Sequence, residues 1–158
     1  MTTGAHQVPG WRPEARIRTK AIGLAVRNGS LLVCEVLDDA GVLTGWVPPG
    51  GGVAFGETAE AALKREIREE LGIACVISGP PTICENIYEH EGAVGHEIVF
   101  AFPITFGDPA IYANRRFVYS ESNGTQHYAE WVSLERFRSG IDTLFPNAIA
   151  AYVVGSMA

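Results

Sequence analysis

Five consecutive residues, Pro48-Pro49-Gly50-Gly51-Gly52, constrain this chain more than any other feature. Proline fixes φ and removes a backbone donor, and glycine frees the backbone, so regular structure is expected to stop there. Shortly after the run comes the clearest helix signal, over residues 58–71. Thr58 can cap its start, Ala59, Ala62, Leu63, Ile67 and Leu71 recur at helical spacing, and Gly72 stands where a helix would end. At about 100° per residue, Glu66, Glu69 and Glu70 fall on one face, beside the apolar stripe. The helix can therefore bury one side while three carboxylates share a patch of space next to a glycine-rich bend. Like charges at i,i+4 cost about 0.2–0.5 kcal/mol per pair, a penalty that a hard divalent cation such as Mg²⁺ removes. For the three glutamates alone, a solvated acidic face is the more ordinary outcome.

The flanking residues decide between these outcomes. Residues 51–73 read GGVAFGETAEAALKREIREELGI. This segment resembles the box of the Nudix hydrolase family (MutT-like), G-x5-E-x7-R-E-U-x-E-E-x-G-U with U aliphatic. Gly51, Glu57, Arg65, Glu66, Ile67, Glu69, Glu70, Gly72 and Ile73 fill every specified position. A chance match of that kind has a probability of about 10⁻⁸ at average residue frequencies. The resemblance implies an α/β chain with a Nudix-type α/β/α sandwich and a mixed β-sheet. It also implies a pyrophosphohydrolase cleaving the phosphoanhydride bond of a nucleoside diphosphate linked to another moiety. A nucleoside triphosphate, ADP-ribose, a nucleotide sugar and a dinucleoside polyphosphate all qualify, because the box sets the reaction and not the attached group.

Carried onto this chain, the resemblance makes Glu66, Glu69 and Glu70 metal ligands, with the backbone carbonyl of Gly50 as a further oxygen donor. The cofactor is expected to be Mg²⁺, with Mn²⁺ as a substitute. Arg65 would orient a carboxylate, Glu57 or Glu69, through its rigid charged fork. Glu69 is the first choice for the catalytic base, with Glu97 and Glu121 as candidates outside the box. Gly51 and Gly52 would let the backbone approach the substrate, and Tyr88 and Arg115 are expected to contact it. Trp46 and Trp131 suit the core or its rim, while Tyr112, Phe117 and Tyr119 are further aromatic candidates beside a base. His90, His96 and His127 lack zinc-ligand spacing.

The bulk numbers fit one domain. The chain has 158 residues, 47% hydrophobic and 19% charged, with net charge −6. That charge, without a Lys/Arg cluster, disfavours nucleic acid as a partner and suits a small-molecule nucleotide bridged by a cation. Residues 1–14 read as a flexible leader and 15–158 as a single Nudix hydrolase domain. No apolar run is long enough for a membrane span. Three cysteines, Cys34, Cys75 and Cys84, without Cys-x-x-Cys spacing suit buried thiols and a cytoplasmic location. Strands are expected over 19–27, 31–37, 73–78, 82–88, 96–104 and 129–132, and short helices over 134–138 and 147–154. Residues 38–45 are expected to be a loop. Residues 107–126 would form a long polar connection with one short strand at 110–112, and 88–97 an acidic, histidine-rich pocket loop. The apolar stretch 149–154 suits the core or a homodimer interface equally. The competing reading is a catalytically inactive Nudix-fold nucleotide-binding or regulatory module, which would bind nucleotide without turnover.

Overall fold

The structure, a computed structural model, describes residues 10–120 and 124–157. In chain order its elements are β1 (Ile17–Leu24), β2 (Val26–Arg27), β3 (Ser30–Leu37), β4 (Leu43–Val47), β5 (Gly50–Gly52), α1 (Ala59–Leu71), β6 (Cys75–Ile77) and β7 (Thr82–His90). There follow β8 (Ala93–Phe106), α2 (Ala110–Ala113), β9 (Arg116–Ser120), β10 (Gln126–Ser133), α3 (Leu134–Arg138) and α4 (Asn147–Ser156). Residues 1–9 of the expected leader, and Glu121 and Ser122, lie outside the described residues. Residues 10–14 run over the surface, where Arg12 pairs with Asp39 and the ring of Trp11 meets that of His90.

Two sheets form. The first is mixed: β5 pairs antiparallel with β1, β1 lies parallel to β8, and β8 also takes β7 and β6 antiparallel. The second is antiparallel, in the order β2-β3-β10-β9, with β4 on β3. Alternation along the strands sends one face of each sheet to each of two cores. Ala21, Phe102 and Ile104 of the first sheet and Leu32 and Ala129 of the second enclose Ala62, Leu63 and Ile67 of α1. Ile22, Leu24 and Val99, with Leu31, Val33 and Val132, meet Leu134 and Phe137 of α3 and Ile149 and Val153 of α4. Helices thus cover both faces of a curled β layer, an α/β/α sandwich. Ile149 and Val153 are fully buried within the chain, so half of the alternative posed by the 149–154 stretch is core.

Several expected boundaries move. The run 19–27 splits at Ala25 into β1 and β2, which join different sheets. The expected loop over 38–45 instead includes the start of β4, which pairs with β3. The glycine run does not end regular structure: Gly50–Gly52 is an edge strand, because Ile22, Ala21 and Lys20 supply backbone partners that local propensity cannot foresee. Residues 88–97 form the turn end of the β7–β8 hairpin, with Glu91 and Gly92 at positive φ, rather than a loop. Residues 110–112 are helical, and the strand expected there is β9, further along the chain. Cys34 and Cys75 are buried and Cys84 is half-buried, all as thiols.

Candidate active site

Helix α1 starts and stops where its sequence dictates. The Thr58 hydroxyl accepts from the Ala61 amide at 3.1 Å, and Gly72, at φ 69°, donates its amide to the Arg68 carbonyl. Only a residue that tolerates the left-handed region closes a helix this way without strain. Ahead of the helix, the Glu57 carboxylate accepts from the Ala54 amide at 3.0 Å, holding the turn that leads back to the glycine strand.

Arg65 is the hub. Its Nε and Nη2 donate to the two Glu57 oxygens at 2.8 and 2.9 Å, and Nη2 also donates to the Gly52 carbonyl at 3.1 Å. Nη1 donates to Glu66 at 2.8 Å and to Glu69 at 3.3 Å. A planar guanidinium can make this two-sided set because its five donors fan out in one plane; an ammonium cannot. The electrostatic consequence is strong at Glu57. Hydrogen bonds from Arg65 and from the Ala54 amide pull its carboxyl down to about 2, while Glu57 and Glu66 hold the guanidinium firmly protonated.

The glycine strand gives this hub its shape. A Cβ on Gly51 would stand 2.3 Å from the Glu66 carboxyl carbon, so the carboxylate occupies the space a side chain would fill. A Cβ on Gly50, at φ 153°, would stand 2.1 Å from the Ala21 carbonyl oxygen of β1. Gly50 and Gly51 are therefore required for the backbone and the box carboxylate, respectively, to approach so closely. Glu70, half-buried, follows on the same helix. Among the described residues no three His, Cys, Asp or Glu side chains converge into a ready-made metal cage; Arg65 provides the positive charge between Glu66 and Glu69. The donors themselves are carboxylate oxygens beside a glycine strand whose missing Cβ lets Glu66 approach, and that chemistry fits a hard divalent cation.

The structure separates the remaining sequence candidates. Tyr88 lies across Gly95 and donates its hydroxyl to Glu97 Oε1 at 3.2 Å. Burial, with the charge of Glu97 and the hydrogen bond to it, pushes the phenol up to about 12, so it stays a neutral donor. Arg115 is elsewhere: it pairs with Glu130 at 3.0 Å and lines a cavity of about 460 Å³ with Arg27, Tyr112, Trp131 and Arg136, and no box residue takes part. Tyr112 stacks on Trp131 beside that cavity, Tyr119 is buried, and Phe117 packs on the α1 core. Trp46 is buried in the α4-side core. Glu121 lies outside the described residues. Sequence reasoning missed Arg18 and Lys20, two half-buried cations at the start of β1 near the glycine strand. Their only signal was charge at alternate positions of an otherwise apolar strand.

Comparison with known proteins agrees with this geometry. The NUDIX domain family profile matches residues 17–151. This chain belongs to the Nudix family. It is 39% identical over 124 residues to the nucleoside triphosphatase NudI of Escherichia coli O17:K52:H18, a match covering 76% of this chain and 84% of that one. The NudI of Shigella flexneri serotype 5b is 38% identical over the same coverage. In fold, the chain resembles the Nudix hydrolase from Nitrosomonas europaea (TM-score 0.61, 16% identity, 87% of this chain and 86% of that one). It also resembles the MutT protein from Methanosarcina mazei (TM-score 0.56, 24% identity, 89% and 91%). It is a Nudix hydrolase acting on phosphoanhydride bonds, in a family that generally uses divalent metals. No helix among the described residues is long and apolar enough to cross a membrane.

Proposed function

We propose that this Nudix hydrolase cleaves a phosphoanhydride bond of a nucleoside triphosphate, with other nucleoside diphosphate-linked compounds as alternative substrates, in the presence of Mg²⁺ or Mn²⁺. The observation that carries the reading is the Arg65 hub, which gathers Glu57, Glu66, Glu69 and the Gly52 carbonyl at one edge of the sheet. The NudI relatives, named as nucleoside triphosphatases, favour the triphosphate class.

Glu66, Glu69, Glu70 and the Gly50 carbonyl would hold the cation. When bound, it neutralises the phosphate oxygens and the charge that develops on the leaving oxygen. The chain's own residues do the rest. Arg65 fixes Glu66 against Gly51 and holds both oxygens of Glu57. Glu69 is 54% exposed, and its bond to Arg65 is the longest the guanidinium makes to a carboxylate. One of its oxygens would hold the cation and the other would accept a proton from the water that attacks phosphorus, while the bridging oxygen departs with the electron pair of the broken P–O bond. Gly51 and Gly52 present no side chain to the substrate's phosphates. A nucleotide substrate and unlinked thiols suit the cytoplasm, and the net charge of −6 suits a small nucleotide rather than a nucleic acid.

The test is release of pyrophosphate or phosphate from a panel of nucleoside triphosphates, ADP-ribose, nucleotide sugars and dinucleoside polyphosphates, with Mg²⁺ and with Mn²⁺. Turnover on at least one class, abolished by EDTA, is expected. Binding without turnover on every compound would leave the chain an inactive nucleotide-binding module.

A further inference from the structure

Glu97 is the only charged side chain buried among the described residues, at 5% exposure. Among the described residues no cation lies within ion-pair distance of it, and its one side-chain hydrogen bond comes from Tyr88. Burying a carboxylate without a salt bridge is unfavourable unless donors arrive from elsewhere. Its place in the sheet shows from where. Glu97 pairs with Arg18 of β1 and Asn86 of β7, and Val99, two residues on, pairs with Lys20 and Cys84. Opposed residues share a face, so Arg18, Lys20, Asn86, Tyr88 and Glu97 lie together. Val99 and Ile22 continue that face into the α4-side core, so it is opposite to the one covered by α1.

This polar patch is continuous with the box through the glycine strand. Lys20 pairs with Gly52, and Arg18 Nη2 lies 3.4 Å from where a Gly52 Cβ would stand. Strand β5 is the sheet edge. With Gly51 turned to Glu66 and Gly52 turned to Arg18, no side chain walls off one face from the other at that edge. Among the described residues Arg18 and Lys20 have no carboxylate partner, although both are half-buried in a chain of net charge −6. Across two strand spacings of about 4.8 Å and two residues of about 3.3 Å each, Glu97 stands about 12 Å from Gly52, a span on the scale of a nucleotide from phosphate to base.

We propose that this face reads the nucleoside: Arg18 and Lys20 meet the phosphates as they leave the box, and Glu97, steadied by Tyr88, accepts an N–H from the base. The inference rests on the hydrolase reading above and names the part of the substrate that the box does not touch. An ionised carboxylate only accepts, so it selects for a base with an N–H on the presented edge. Guanine N1–H and uracil N3–H both qualify, and methylation at either nitrogen removes the donor.

The test compares hydrolysis of uridine and guanosine triphosphates with that of their N3-methyl and N1-methyl forms. Wild type is expected to lose about tenfold or more in kcat/KM on methylation, mostly through KM, as when a hydrogen bond to a charged buried group is left unmade. Glu97→Ala is expected to treat methylated and unmethylated substrates alike, with kcat within about threefold of wild type. Lys20→Ala raises KM for all of them equally. Should Glu97→Ala not fold, Tyr88→Phe replaces it, and discrimination should shrink without a change in kcat. Binding of uridine and guanosine monophosphates by calorimetry, which needs no turnover, should weaken in the same variants. Wild-type tolerance of methylation, discrimination retained in Glu97→Ala, or an equal kcat loss on all substrates would overturn the assignment. An absence of turnover on every triphosphate would instead overturn the hydrolase reading.

Discussion

Arg65 makes five hydrogen bonds to oxygen, and each partner has a different sensitivity. Glu57 binds the guanidinium with both oxygens and the Ala54 amide as well, so its carboxyl falls from an ordinary 4.5 to about 2. A carboxyl held lower in the folded than in the unfolded chain stabilises the fold above the unfolded value, and that contribution is lost as pH falls towards the folded one. Wild type should therefore lose thermal stability between pH 4.5 and 2 more steeply than Glu57→Gln, measured by melting temperature across that window. Equal slopes would remove Glu57 from the account. Glu69 and Glu70 are sensitive to charge instead: Glu69→Gln or Glu70→Gln should lower turnover by at least about 100-fold with little change in melting temperature, since only the stabilisation of developing charge is lost. Full activity in both variants would refute the cation site.

The glycine strand and α1 act as a pair, and they separate fold from chemistry. In Gly51→Ala the new methyl meets the far end of the Glu66 side chain, which can swing away; the fold should survive while turnover falls at least tenfold. In Gly50→Ala it meets the backbone of β1 at a φ that side chains rarely adopt, a loss of about 2 kcal/mol or more. Melting curves and steady-state rates on both variants check the contrast; a reversed order would sink it. How far these elements were legible follows from where their causes lie. The helix is written locally, in Thr58, the apolar stripe and Gly72, and the structure gives it at Ala59–Leu71. The strand at Gly50–Gly52 is written in β1, a distant segment, so a local reading saw only a breaker. Residues 107–126 misled for the same reason: β9 is a strand because β10 offers it partners from Gln126 to Glu130. At the site, the box residues announced themselves by spacing. Arg18, Lys20 and Glu97 did not, because only strand register brings residues so far apart in sequence onto one face.

Across the whole molecule, a cation that binds only the folded chain should raise the melting temperature with its concentration, a linkage that needs no assay of turnover. Differential scanning with Mg²⁺ or Mn²⁺ on wild type, and on Glu66→Gln, measures it; identical shifts would place the cation away from α1. Strand β8 has another bearing on the molecule. Its 14 residues pair with β1 along one edge and with β7 and β6 along the other, so the entire first sheet except β5 is laced to a single segment. Its central residues, Val99 to Ala101, are paired on both sides, so their amides cannot open to solvent unless a flanking strand parts. In deuterium these amides should be the last to exchange, at the rate of global unfolding, while those of the edge strand β5 exchange by local opening well before them. The chain would thus set the glycine edge that must admit a ligand one strand away from its slowest-breathing segment.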